Sequence, residues 1–287
     1  MDRFLIVTNK EKDINNKMTD KISGYIKKAG KFSKSTCALI SRNDMEELIL
    51  SNNIECVIVL GGDGTIIKVA NDTMAYDVPL LGVNLGTLGF LAEIETSHVL
   101  EAMDDVFAGN YKIEERLMLK GKVSLKSSSP NKKEEEYVHF LNDAVISRKG
   151  YSRIISLDIY VNGELVNNFE GDGVIIATPT GSTAYNLSAG GPIIIPDAKV
   201  TAITPICPHT ICPRSIVVSA DDNIKVVVGK SKKTLEAEST VTFDGNKAEN
   251  LGTDDVIEIS RSKYKTKVIT LNQMSIYETL RTKLGSY

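Results

Sequence analysis

The sequence predicts an N-terminal doubly wound α/β domain, then a C-terminal β-sandwich domain, with a C-terminal helix returning to the first domain. Three observations predict it. Short apolar runs alternate with helical patterns over the first third, as in βαβ units. Residues 112–267 are dominated by short β-type runs with turn residues between them. The helical pattern returns only at residues 273–284. The boundaries that follow are 1–111 for the α/β domain, completed by 268–287, and 112–267 for the β domain.

Taken in order, residues 4–7 (Phe-Leu-Ile-Val) form a buried-strand run, and residues 14–28 a Lys-rich stretch of weaker helical periodicity. Residues 36–40 read as a second strand, 44–50 as a short helix, 56–60 as a third strand and 79–84 as a fourth. Ser97 is the expected N-cap of a helix over 97–107, with Val99, Leu100, Met103 and Phe107 on one face. In the β region the expected strands are 117–125, 154–161, 174–177, 216–219, 224–228 and 256–259, with Asn162-Gly163 as a hairpin turn. Residues 126–136 read as a solvated hairpin loop, to which we assign no function. In the last stretch Met274, Ile276, Tyr277, Leu280 and Leu284 share one side, which is expected to pack on the first domain.

Composition narrows the function classes. With 287 residues, 42% apolar and 25% charged, the chain has the make-up of a soluble globular protein. A net charge of -3 gives no basic field for nucleic acid, so a phosphorylated ligand needs local positive charge. No apolar run approaches the ~20 residues of a membrane span, and no signal peptide is recognised, so a cytoplasmic location is expected. Cys37, Cys56, Cys207 and Cys212 form no zinc pattern and are expected reduced.

The most informative stretch is Gly61-Gly62-Asp63-Gly64-Thr65, between the third strand and a helix opening at residues 66–70. A strand, a glycine-rich turn and a helix N-terminus make an anion site, because the backbone can approach closely and offers unpaired N–H groups. The spacing is neither a Walker loop nor a dinucleotide fingerprint. Asp63 places a carboxylate inside that site, where it either holds a divalent cation or accepts a proton from an attacking hydroxyl. As a purely structural feature the turn would be a tight reversal in which glycines supply positive φ. Asn84-Leu85-Gly86-Thr87-Leu88-Gly89-Phe90 stands at the end of another strand of the same sheet, where ligands of parallel sheets sit.

A second glycine-rich region opens with Gly171-Asp172-Gly173 and closes with Gly190-Gly191-Pro192. Its small hydroxyl residues offer dense donors and acceptors with little bulk, which suits a nucleobase or ribose. As a structural loop it would bury little apolar surface for its ordering cost. Between the two regions, Asn142 and Asp143 stand among apolar neighbours and need partners. An amide beside a carboxylate can bracket a diol, or the pair can be a strand-start turn.

Together with Thr178-Pro179-Thr180-Gly181-Ser182-Thr183-Ala184-Tyr185, Pro205-Ile206-Cys207-Pro208-His209-Thr210 and Phe243-Asp244-Gly245, these stretches resemble the ordered motif set of NAD kinases over nearly the whole chain. The resemblance implies transfer of the terminal phosphate of ATP, with a divalent metal (Mg2+), to the 2'-hydroxyl of the adenosine ribose of NAD. It implies Asp63 as proton acceptor, and Gly61, Gly62, Gly64 and Thr65 as the donor-phosphate loop. Lys68, one turn into the helix, either reaches a phosphate or is an ordinary solvated lysine. The implied NAD contacts are Asp63, Gly64, Phe90, Asn142, Asp143, Arg153, Asp172, Thr183, Ala184, Tyr185, Asn186, Leu187, Ser188, Cys207 and Asn246. A homodimer or homotetramer is implied as well.

Two positions depart from the resemblance: Glu170 stands where many relatives carry Lys or Arg, and Asn246 where Gln or His is usual. His209 lies in a matching motif but is expected to be structural. The first motif alone also fits a diacylglycerol-type lipid kinase, and a silent nucleotide-binding regulator is the third reading. The stretch over residues 171–192 with Asn142-Asp143 favours the NAD kinase.

Overall fold

In a computed structural model of the chain, the apolar runs of the first third become parallel strands. The structure describes residues 1–86, 89–92, 94–126, 136–149, 154–210, 214–230, 238–271 and 276–284. The chain divides into two compact units, residues 1–116 with 264–287, and residues 117–263.

In the first unit β1 (Arg3–Thr8), α1 (Lys17–Lys28), β2 (Phe32–Cys37), α2 (Arg42–Ser51), β3 (Cys56–Gly61), α3 (Asp63–Thr73) and β4 (Leu80–Asn84) alternate, followed by β5 (Ile94–Glu95) and α4 (Val99–Ala108). The strands are parallel in the order β4-β3-β1-β2. Phe4, Ile6, Ile58, Leu60, Leu81 and Val83 share one core with Ile22 and Ile26 of α1 and Met103 and Val106 of α4. Alternate residues of the same strands, Leu5, Val7, Val57 and Val59, face the other side and are also fully buried. Burial on both faces is why these strands read as unbroken apolar runs.

Three local expectations are corrected here. The second strand spans Phe32–Cys37 rather than 36–40. It pairs on one side only, with β1, and its polar sequence reflects that edge position. The helix expected at 97–107 begins at Val99 with His98 as N-cap and no side-chain cap, while Ser97 Oγ lies 3.1 Å from His98 Nδ1. Gly109 closes it in the left-handed region at φ 80°. The helix after the glycine turn starts at Asp63 itself, three residues earlier than its apolar pattern suggests.

The second unit is mostly β. It contains β6 (Lys112–Ser124, from Leu117 on), β7 (Val138–Phe140), β8 (Asp143–Arg148), β9 (Ile155–Val161), β10 (Glu164–Gly171) and β11 (Gly173–Ala177). A short helix α5 (Tyr185–Ser188) follows, then β12 (Val200–Ile206), β13 (Ile216–Ser219), β14 (Ile224–Gly229), β15 (Ser239–Phe243), β16 (Asn246–Leu251) and the start of β17 (Val256–Thr270). One antiparallel sheet runs β13-β12-β11-β8-β15-β16, and β10-β9-β14-β17 run antiparallel in another. Ile146, Ile176, Ile203 and Val241 of the first pack with Leu157, Ile159, Phe169, Val226 and Ile257 of the second. The β9–β10 hairpin turns through Asn162 and Gly163, both at positive φ, as expected.

The sheet holding β8 and β11 is buried on its outer face as well: Val145, Ile175, Ala177, Ala202 and Ile206 pack with Ala189 and Ile194. The glycine- and hydroxyl-rich segment therefore covers that face. The last helix, α6 (Ile276–Leu284), belongs to the first unit. On its expected apolar face Leu280 is half-buried and Tyr277 is 63% exposed. Met274, Cys212, Thr87, Leu88, Arg153 and most of the 126–136 excursion lie outside the described residues. Cys37, Cys56 and Cys207 form no disulfide, and burial pushes the Cys56 thiol up to about 12. No described helix is long and apolar enough to cross a membrane.

Candidate active site

In the first unit, β3 ends at Gly61, Gly62 is the N-cap of α3, and Asp63 is the first helical residue. The first-turn N–H groups of such a helix have no intrahelical acceptor and can meet an anion. None of Gly61, Gly62 and Gly64 adopts positive φ. Close approach is the reason for Gly61. A Cβ on Gly61 would lie 2.5 Å from Thr65 Oγ1, and one on Gly62 would lie 3.1 Å from Lys12 Nζ. Leu85 N donates to Gly61 O at 2.9 Å, which ties this turn to the loop after β4. In that loop the buried Asn84 exchanges two hydrogen bonds with Gly86, at 2.9 and 3.0 Å.

The Asp63 carboxylate turns towards the same loop. Its Oδ2 accepts from Phe90 N at 2.9 Å, and its Oδ1 from Leu91 N at 3.2 Å and Ala92 N at 3.3 Å. An ionised carboxylate has about four lone-pair sites, so one is left for a further donor. Phe90 thus meets Asp63 through its main chain. The neighbouring assignments shift. Lys68 Nζ pairs with Asp72 Oδ2 at 2.6 Å, one turn further along α3. Thr65 Oγ1 takes a long contact from Asn9 Nδ2, at 3.5 Å. A cation beside the glycine turn is Lys12, in the loop after β1, which sequence reasoning missed. Its signal was position, since that loop leaves the carboxyl end of a parallel strand.

In the second unit, Asn142 and Asp143 open β8 and are held by Asp244, whose carboxylate accepts from Leu141 N, Asn142 N and Asp143 N at 2.8, 2.7 and 3.2 Å. Asp244 N returns a bond to Asp143 O at 2.9 Å, with Asp244 at φ 50°. Asn246 Nδ2 donates to Asp244 O at 3.0 Å, so Asn246 joins the group. The helical turn over Thr180–Thr183 packs on Asn142: a Cβ on Gly181 would lie 2.1 Å from Asn142 O. Burial, then the charge of Asp244, raises the Asp143 carboxyl to about 7. A carboxyl raised in this way can donate as well as accept a hydrogen bond near neutral pH. Asn142 Oδ1 and Thr180 Oγ1 are buried and unpartnered, which marks an unmet polar demand.

Asp172 lies between β10 and β11, with Oδ1 accepting from Arg148 Nε at 2.7 Å. Asp172 N donates to Ile206 O at 3.0 Å, next to the exposed Cys207. Arg148 is the second residue that sequence reasoning missed. Within the segment 183–188, Thr183 Oγ1 bonds Thr180 O at 3.3 Å, Ala184 and Leu187 are half-buried, Tyr185 is 46% exposed and Ser188 is exposed. Asn186 is fully buried and committed internally: its Nδ2 donates to Ser182 O at 3.2 Å and Pro192 O at 3.0 Å, and its Oδ1 accepts from Thr204 Oγ1 at 2.7 Å. Its side chain shapes the segment rather than facing outward. Glu170 O accepts from His209 N at 2.7 Å, consistent with a structural place for the histidine backbone. Among the described residues, no group of three His, Cys, Asp or Glu side chains could hold a metal ion.

Comparison with known proteins gives concordant matches. Residues 4–111 match the family model described as ATP-NAD kinase N-terminal domain, and residues 141–271 the one described as ATP-NAD kinase C-terminal domain. The chain is 45% identical over 288 residues to an NAD kinase of Lachnoclostridium phytofermentans, covering 99% of each protein. It is 40% identical over 291 residues to an NAD kinase of Agathobacter rectalis, covering 100% of each. Among solved structures, a yeast NADH kinase complexed with NADH aligns at TM-score 0.82 and 22% identity, covering 100% of this chain and 88% of that one. An NAD kinase from Archaeoglobus fulgidus in complex with ATP aligns at TM-score 0.78 and 22% identity, covering 99% of each. These two likenesses speak for the fold.

Proposed function

The chain belongs to the NAD kinase family, and from that premise we propose that it transfers the γ-phosphate of ATP to the 2'-hydroxyl of the adenosine ribose of NAD, forming NADP. The observation that carries the mechanism is the Asp63 carboxylate, fixed by three main-chain N–H groups beside the first turn of α3. Phosphoryl transfer requires little covalent work from the protein, so alignment and charge neutralisation matter most. The bond from O2' to the γ-phosphorus forms as the bond to the β,γ-bridging oxygen breaks. ADP leaves, and the hydroxyl proton passes to Asp63. Gly61, Gly62 and Gly64 leave room for the donor phosphates at the N–H groups that follow β3, with Thr65 bracing the turn. A divalent cation, Mg2+, brought in on the triphosphate would supply further charge neutralisation there.

On the acceptor side, Asn142 and Asp143 bracket a ribose diol. Asp172, the segment from Thr183 to Ser188 (Asn186 through its main chain only), Cys207 and Asn246 line the rest, with Arg153 and Phe90 as further contacts. The orphaned Asn142 Oδ1 and Thr180 Oγ1 support this reading, because a nucleoside offers the hydroxyl and amine donors they lack. We take the working protein to be a cytoplasmic homodimer or homotetramer. Neither the lipid kinase nor the silent regulator gains support, since both halves of the chain match NAD kinase models.

The test is incubation of the pure protein with ATP, magnesium and NAD, read by an NADP-specific dehydrogenase. NADP formation is expected. Lipid phosphorylation without NADP would overturn the assignment.

A further inference from the structure

The helix α5 has little of its own to hold it. It is a single turn of four residues, and its N-cap Ala184 offers no side-chain bond. Such a turn does not persist by itself, because nucleating a helix fixes several residues for one hydrogen bond. Asn186 is the buried residue of that turn, while Tyr185 and Ser188 are exposed. Both protons of its Nδ2 go to main-chain carbonyls, Ser182 O at 3.2 Å and Pro192 O at 3.0 Å. Its Oδ1 therefore needs a donor from elsewhere. Thr204 of β12 supplies it at 2.7 Å, with Ser215 Oγ as the hydroxyl's other neighbour at 3.0 Å.

Thr204 is 1% exposed and shares the outer face of its sheet with Ala202 and Ile206, with Ile175 opposite it on β11. Those neighbours are apolar, and a valine of the same shape would fill the position. A hydroxyl there costs desolvation unless it is bonded, so what it adds is the bond to Asn186. The anchor is firm, since β12 pairs with β11 on one side and β13 on the other. Gly191 closes on the same side chain. Its N donates to Asn186 O at 2.8 Å, and a Cβ at 191 would lie 2.2 Å from Asn186 Oδ1. The Asn186 amide thus has one seat, set by Thr204 and kept open by the glycine.

We propose that Thr204 is a positioning residue for the acceptor nucleotide. It holds the Asn186 side chain from within, and through it fixes the main chain of Tyr185–Ser188 that NAD meets. The inference rests on the NAD kinase reading, which assigns that segment to the acceptor, and adds to it a residue that never touches the ligand. The glycine turn of the donor side belongs to the other compact unit, so loss of this hydroxyl acts on one substrate only.

The test compares Thr204→Val with Thr204→Ser in the full chain, by NAD calorimetry, steady-state assay and amide hydrogen exchange. Thr204→Val leaves the buried Asn186 carbonyl without its donor, and NAD binding weakens about tenfold. KM for NAD rises in step, while KM for ATP stays within about twofold and kcat within about threefold. The amides of Leu187, Ala189 and Gly191, which bond within the segment, exchange about tenfold faster without any nucleotide present. Thr204→Ser returns the hydroxyl and brings NAD affinity back to within about threefold. Gly191→Ala crowds the same amide from the loop and gives the same pattern, so it carries the test alone if Thr204→Val does not fold. Unchanged exchange or unchanged NAD affinity overturns the proposal, as do equal rises in both KM values or no recovery in Thr204→Ser. Faster exchange at constant NAD affinity places the fault in the assignment of the segment to NAD. Calorimetry needs no turnover, so hydroxyl-dependent NAD binding without NADP formation refutes the kinase reading and not the role of Thr204.

Discussion

Gly89 is packed so tightly against Asp63 that a Cβ at position 89 would lie 1.8 Å from Asp63 Oδ1 and 2.5 Å from its Cγ. The missing side chain at 89 is what lets the carboxylate reach Phe90 N, Leu91 N and Ala92 N. Gly89→Ala should therefore push the carboxylate out of its three-donor seat. We expect kcat to fall about 100-fold, the scale of a misplacement near 1 Å, with NAD affinity changed by less than about threefold. Steady-state assay beside direct NAD binding checks this. Full activity in Gly89→Ala would show that the position of Asp63 is not critical.

Asp63→Asn tests the chemical role apart from the position. An amide of the same shape keeps one acceptor oxygen but turns an NH2 towards main-chain donors, and it takes up no proton. Turnover should drop by about 10²–10⁴, the range for a lost general base, while NAD binding stays within a few-fold. A variant as active as the native chain would remove Asp63 from the mechanism.

Asp143 carries a pH signature. Burial first, and then the Asp244 charge, raise its carboxyl from 3.8 to about 7 in the folded protein. Between these values the native state holds more protons than the unfolded chain, so this group's stability contribution falls as pH rises through the window and levels off above it. Asp143→Asn removes the charge without removing the volume. It should be the more stable protein at pH 8, by on the order of 1–3 kcal/mol, with the gap closing towards pH ~5. Denaturant titrations at both pH values read this directly. A gap that widens on acidification would contradict the assignment.

Arg148 acts through Asp172. Its Nε holds Asp172 Oδ1 at 2.7 Å, and its N–H donates to Asp172 O at 2.9 Å. Arg148→Ala keeps the main-chain bond and loses the Nε contact, which leaves the Asp172 carboxylate without that hold. KM for NAD should rise about threefold to tenfold, with KM for ATP unchanged. Lys at 148 should recover part of the loss. Equal effects on both substrates would show that the pair supports the fold rather than the acceptor.

Much of this protein is written locally. The runs at β1, β3 and β4 are apolar because both faces of their sheet are buried, and such runs announce themselves without any partner being known. The edge strand β2 is quieter, since its one-sided pairing allows Ser33, Lys34 and Ser35. Gly61 to Thr65, Asn142-Asp143 and the stretch from Gly171 to Pro192 were legible for a similar reason: their residue types are costly in an ordinary turn or strand.

The sequence by itself thus determined the α/β-then-β order and the chemistry of the glycine turn. Tertiary structure alone decided what holds that chemistry in place. Asp63 is fixed by donors 27 to 29 residues away, and Asn142 is fixed by Asp244, 102 residues away. Lys12 meets Gly62 only because β1 and β3 are adjacent parallel strands ending on the same side. The physical reason is one of range. Periodicity and turn chemistry report forces within a few residues, whereas a carboxylate's partners are chosen by whichever main-chain donors the folded sheet brings within 3 Å or so.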